Sequence, residues 1–128
     1  MRNLILLIFI LLFDNCEAQD NCEIKLRYVD LEIMTPINVD CANFETLFKS
    51  QIKTVIVSKK YDIDSLLVMI NQLEIDTSCN IPDVRVKIEI ISLNKFRTYC
   101  LSKMGIYDEY NTYILPESFL IILKKYMK

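Results

Sequence analysis

The sequence predicts an α+β fold: a mostly antiparallel sheet of about 4–5 strands packed against three helices, in the order β-α-β-α-β-β-β-α. Three observations lead there. Val84, Val86, Ile88 and Ile90 alternate with Arg85, Lys87 and Glu89, the pattern of a strand with one face in a core and the other in water. Ile63, Leu66, Leu67, Ile70 and Leu73 recur every three or four residues, and so do Phe119, Leu120, Ile122, Leu123, Tyr126 and Met127; each set makes the buried stripe of an amphipathic helix. The strand-like segments of the C-terminal half follow one another across short polar turns, which favours hairpin pairing.

Each element has its own local reason. From Ile24 to Ile33 the alternation changes phase, with Ile24, Leu26 and Tyr28 on one side and then Val29, Leu31 and Ile33 on the other. Successive strand side chains point to opposite faces, so the slip predicts a bulge or a switch of the buried face. Thr35-Pro36 interrupts the pairing because proline has no N–H to donate, and Ile37 and Val39 resume it. Asp40, with Asn43 as the competing cap, opens a helix through about Gln51, whose stripe is Phe44, Leu47, Phe48 and Ile52. Thr54 to Val57 is β-branched and apolar and reads as a buried strand, ended by Lys59-Lys60.

A second helix begins at Asp62 or Asp64 and runs to about Glu74. Asp76 to Pro82 has turn composition, and the alternating strand follows it. Ser92 to Lys95 turns the chain into a strand from Phe96 to Lys103. Gly105 marks a turn or bulge before a final strand around Tyr110 to Leu115. Pro116 then suits the first position of the last helix, where a missing N–H costs nothing. Glu117 in its first turn, with Lys124, Lys125 and Lys128 towards its end, complements the helix dipole.

Residues 1–18 read as a secretory signal peptide. Arg2 charges the start, Leu4 to Phe13 is an unbroken apolar run, and Ala18 places a small residue before Gln19. An apolar run of ten residues is shorter than the ~20 needed to cross a bilayer. The expected organisation is therefore a signal peptide over 1–18 and a single compact domain over 19–128, exported to the medium, the periplasm or the cell envelope, with no transmembrane segment in the mature chain. A lipidated Cys16 is the competing reading, although Phe13-Asp14-Asn15 is a poor approach to such a site.

Export favours disulfides. The mature chain keeps Cys22, Cys41, Cys79 and Cys100, with no C-x-x-C pair among them, and these allow three complete pairings. If the elements alternate up and down, Cys22 and Cys79 arrive at one end of the layers. A strand of about ten residues separates its ends by ~33 Å, whereas bridged Cα atoms lie within ~7 Å, so Cys22–Cys41 is disfavoured. The expected bridges are Cys22–Cys79 and, by elimination, Cys41–Cys100.

Composition removes several chemistries. There is no histidine and only one glycine, Gly105. The first fact excludes Ser-His-Asp and Cys-His catalysis and the commonest transition-metal ligand; the second disfavours a phosphate-cradling loop. Once Arg2, Asp14 and Glu17 leave with the signal peptide, 14 basic residues face 15 acidic ones. The basic residues alternate with acidic ones along most of the chain, which argues against a nucleic-acid partner. No metal or cofactor is expected. Two carboxylate pairs stand two residues apart, Asp62 with Asp64 and Asp30 with Glu32; helix capping and a solvated strand face account for them. Asp62 to Ser65 lacks the glycine and distant glutamate of an EF-hand loop.

The segment from Tyr107 to Tyr113 is a candidate recognition loop carried by Tyr107, Tyr110 and Tyr113, since tyrosine offers contact area at low entropic cost. Its structural alternative is a strand-turn-strand in which Tyr107 and Tyr113 complete the core. Two functions follow. The leading one is a small exported, disulfide-stabilised binding domain without chemistry, recognising a macromolecular partner of unknown identity. The alternative is a small extracellular hydrolase working through carboxylates, which requires two acidic groups with raised pKa values meeting in one concave pocket.

Overall fold

The computed structural model describes residues 22–78, 83–93 and 95–128. The expected signal peptide, Cys16, Gln19 and Cys79 lie outside the described residues. Among the described residues the fold is α+β, one antiparallel sheet of six strands with three helices. Strand order is β2-β1-β3-β4-β5-β6, where β1 is Glu23–Tyr28, β2 Lys53–Val57, β3 Val86–Ser92, β4 Lys95–Ser102, β5 Gly105–Tyr107 and β6 Thr112–Tyr113. The helices are α1, Phe44–Leu47, α2, Lys60–Asn71, and α3, Glu117–Tyr126.

The strand count exceeds the expected range because the chain after Gly105 pairs with β4, placing Ile106 opposite Leu101. Both side chains are fully buried, and their burial stabilises a short strand where a turn was expected. The last strand contracts in compensation to Thr112–Tyr113.

One face of the sheet carries the main core. Ile24, Leu26 and Tyr28 of β1, Val57 of β2, and Val86, Ile88 and Ile90 of β3 lie there with Leu66, Leu67 and Ile70 of α2 and Phe119, Ile122 and Leu123 of α3. α2 begins three residues after β2 and leads to the opposite edge of the sheet, where the Asp76 amide donates to the Thr112 carbonyl (2.8 Å) and the Ile114 amide to that of Glu74 (2.9 Å). α3 returns antiparallel to α2: Ser118 Oγ lies 3.7 Å from Met69 Sδ near one end, and the Tyr126 hydroxyl donates to Asp62 Oδ2 at 2.6 Å near the other.

Asp62 is a correction. Sequence places it at a helix cap, but α2 starts at Lys60 with Lys59 as N-cap and no side-chain capping bond. Asp62 is 3% exposed, and its carboxylate latches α3 through Tyr126 and Lys125 (3.8 Å). A buried carboxylate needs such partners.

Among the described residues the other face is covered only towards one end. Val29, Val39, Phe44, Phe48, Val84 and Cys100 form a second cluster there, so the phase slip after Tyr28 is a switch of buried face: Tyr28 joins the first cluster and Val29 the second. β1 ends at Tyr28, and residues 29–43 form a long connection instead of the longer strand expected. β3 reaches the same two-sided end through a bulge. The Arg85 amide donates to the Leu101 carbonyl (2.9 Å) although Leu101 is the register partner of Val86. Two residues thus oppose one, which turns Val84 to the face opposite Val86.

The expected helix from Asp40 to Gln51 shrinks to α1, four residues long. Asp40 and Asn43 exchange side-chain-to-amide bonds of 2.7 and 2.8 Å, closing a turn, and Phe44 and Phe48 pack edge to face with ring centroids 5.6 Å apart. Leu47, expected on the buried stripe, is exposed. So short a helix does not recross the sheet, and β2 runs antiparallel to β1; the chain therefore descends where the up-and-down scheme has it rise.

Candidate functional site

Residues 29–38 form a loop held by side chains from three other parts of the chain. Arg85 is its centre. Sequence reads it as a water-facing residue, yet it is 4% exposed, because the second layer closes over this end of the sheet. Its Nε donates to the Ile33 carbonyl (2.9 Å), Nη1 to that of Val84 (2.8 Å), and Nη2 to Asp83 Oδ2 (2.9 Å) and Thr35 Oγ1 (3.3 Å). The guanidinium carbon lies 5.3 Å from the Phe48 ring centroid, a cation–π distance.

Asp83 completes the brace by accepting from the Val39 amide at 2.7 Å, and Val84 donates back to the Val39 carbonyl at 2.8 Å. Lys103 reaches Glu32 from the β4–β5 turn at 2.8 Å. The disulfide Cys41–Cys100, with Cα atoms 5.9 Å apart, fastens the end of the connection to β4. Cys22 is half-buried and unbridged among the described residues. The expected Cys22–Cys79 bridge lies outside them. Burial pushes the Cys22 thiol above its ordinary pKa, with Asp64 adding to the rise and Arg97 opposing it.

Two clefts flank this loop, with Leu31, Glu32 and Ile33 as a common wall. The first, about 670 Å³, opens between the loop, the start of β2 and the end of α3, and is lined by Tyr28, Met127, Lys53, Lys124 and Lys128. Two of the C-terminal lysines read from sequence as dipole partners thus stand at a cleft. The second, about 530 Å³, lies between the loop and the β4–β5 turn and is lined by Met34, Asp76, Asp83, Arg85, Lys103 and Met104. Met34 is 91% exposed and Met104 81%, so two flexible apolar side chains stand in water at the rim of a cleft containing a buried guanidinium.

Two acids of the second cleft, Asp83 and Asp76, are shifted towards the carboxylate form. Burial works to raise Asp83, but the Val39 amide and Arg85 outweigh it and hold the carboxyl below its ordinary value. Hydrogen bonds from Ser78, side chain first and then backbone, hold Asp76 down as well. Asp30 and Glu32 both line the first cleft, but Asp30 Oδ1 accepts from the Glu32 amide (3.0 Å) and Glu32 pairs with Lys103. Asp64 sits on α2 away from both clefts. Among the described residues no group of three or more Cys, Asp or Glu side chains is arranged to hold a metal, and no helix is long and apolar enough to cross a membrane.

The three tyrosines of the candidate recognition loop have separate positions. Tyr107 packs against the second cluster and its hydroxyl accepts from the Cys41 amide at 2.7 Å; burial pushes its phenol above the ordinary pKa. Tyr113 packs against the first cluster and donates to Asp108 Oδ2 at 2.9 Å. Asp108 Oδ1 accepts from the amides of Tyr110 and Asn111, both at 2.9 Å, an Asx-type turn. Tyr110 stands at the tip, 84% exposed, and the structure does not bring the three rings together.

Arg85, Met34 and Met104 are the residues that sequence reasoning missed. A charged residue in an alternating strand reads as wet unless a covering layer is known, and isolated methionines carry no periodic signal. Comparison of the chain with protein-family models, with curated proteins and with solved structures returns no match.

Proposed function

We propose that this chain is a small exported, disulfide-stabilised binding domain that performs no chemistry, and that it engages a protein partner at the end of the sheet where residues 29–38 divide the two clefts. The observation carrying this reading is the pair of exposed methionines, Met34 and Met104, at the rim of a cleft whose loop wall is braced by Arg85. Flexible thioether side chains suit apolar recognition, and a braced loop loses little freedom on binding. The near balance of charge argues against nucleic acid as partner. The lowered pKa values of Asp76 and Asp83 argue against a carboxylate hydrolase at this cleft, since a general acid needs a raised one. The signal-like residues 1–18 support export, and the Cys41–Cys100 bridge is compatible with an oxidising compartment.

Site-specific photocrosslinking in the exporting cell tests this. A crosslinker at Met34 is expected to capture a defined exported or envelope protein, and Met104→Lys to abolish the capture. A crosslinker at Val68, exposed on α2, serves as the control. Equal capture from both positions, or none from Met34, would refute the assignment of the binding surface.

A further inference from the structure

The two edges of the sheet are finished differently. Beyond β6, Glu74 and Asp76 supply backbone hydrogen bonds and Ile75 bridges to Tyr113. β2 pairs with β1 on one side, and among the described residues nothing pairs with its other side. Its sequence, Lys53-Thr54-Val55-Ile56-Val57, is β-branched after the lysine, with Lys53, Thr54 and Ile56 exposed. An unpaired edge of this kind presents a row of amide and carbonyl groups as a template for another strand.

Charge decides which strand fits. Between Glu45 and Asp62 the chain carries Lys49, Lys53, Lys59 and Lys60 and no acidic residue, and Lys25 of β1 stands beside Ile56 as its register partner. Two-fold pairing of β2 with a second copy would lay this basic segment against itself, and like charges across a strand pair are destabilising. An acidic strand reverses the sign of that interaction. We propose that the free edge of β2 is a docking site for an extended acidic segment of another protein, added as a seventh strand; it is a surface separate from the rim of the second cleft. Main-chain bonds would supply affinity and the lysines selectivity.

The probe is a fluorescein-labelled peptide of alternating valine and glutamate, added to the oxidised mature chain. One control replaces every glutamate by lysine; another N-methylates alternate amides. Anisotropy is expected to show saturable binding of the acidic peptide, about tenfold tighter than either control, because the first lacks the charge match and the second the main-chain donors. Amide exchange should slow along β2, and Lys53→Glu with Lys59→Glu should weaken binding about fivefold or more without changing the circular dichroism spectrum. No saturation at millimolar peptide, equal affinity for the lysine peptide, or protection confined to other elements would overturn the proposal; so would a peptide-free dimer with β2 protected.

Discussion

Replacing Arg85 by alanine removes one buried guanidinium that touches three parts of the fold at once. The carbonyls of Ile33 and Val84 lose charge-assisted donors, each worth ~1.5–3 kcal/mol. Asp83 loses its cationic partner, and removing one member of a buried pair costs ~3–5 kcal/mol. These figures overlap, because they describe one side chain, and Asp83 is 41% exposed at its side chain and regains water. The net expectation for Arg85→Ala is therefore about 3 kcal/mol of lost stability. Arg85→Lys keeps the charge but has no planar fork to serve several acceptors together, and is expected to lose about 2 kcal/mol. Urea unfolding of the oxidised chain over residues 19–128, followed by far-ultraviolet circular dichroism, measures both through the transition midpoint. An alanine variant within about 0.5 kcal/mol of the parent, or a lysine variant indistinguishable from it, would refute the view that Arg85 organises this end of the sheet.

Ile88→Asp is expected to unfold the chain in thermal melts, since Ile88 is 1% exposed with Leu26 and Tyr99 as its cross-strand partners and a buried unpaired carboxylate costs several kcal/mol. Lys87→Asp should be far milder, yet not silent: Lys87 bonds Glu45 at 2.9 Å, so losing the pair and adding a like charge should cost about 1 kcal/mol. Equal effects would mean that the faces of β3 are misassigned. The double variant Cys41→Ala, Cys100→Ala opens a loop with a sequence separation of 59, for which chain entropy gives about 4 kcal/mol. Non-reducing peptide mapping of the parent should yield the Cys41–Cys100 peptide, and a Cys22–Cys41 or Cys79–Cys100 peptide would contradict the structure.

The order of elements was legible because the apolar residues of α2, α3 and β3 repeat at helix or strand periods, and a period survives whatever packs against it. The face switch at Tyr28 and Val29 was legible for the same reason. What failed depends on contacts distant in sequence. Asp40 and Asn43 are good capping residues, but they close a turn on each other, and Phe44 and Phe48 are placed by the sheet beneath them. Arg85 lies within an alternating sequence pattern and gave no sign of burial, since, besides its neighbours Asp83 and Val84, what holds it comes from Ile33, Thr35 and Phe48, distant in sequence. The Cys41–Cys100 bridge was expected through a chain path that the antiparallel course of β2 replaces, so the pair is present for a different reason. Neither cleft has a local signature, because each is bounded by segments that meet only in the folded chain.

The Cys41–Cys100 bridge closes a covalent ring that contains β2, α2 and β3, while β1, which lies between β2 and β3, stays outside it. Under limited proteolysis this sets an order of vulnerability. A single nick between the two cysteines leaves both pieces tethered, and they can reassociate. Among the described residues, a nick in 29–38 cuts the only covalent attachment of β1 to the rest of the sheet, so an inner strand can depart. By holding that loop against the sheet, Arg85 and Asp83 guard a connection whose scission the Cys41–Cys100 bridge cannot repair.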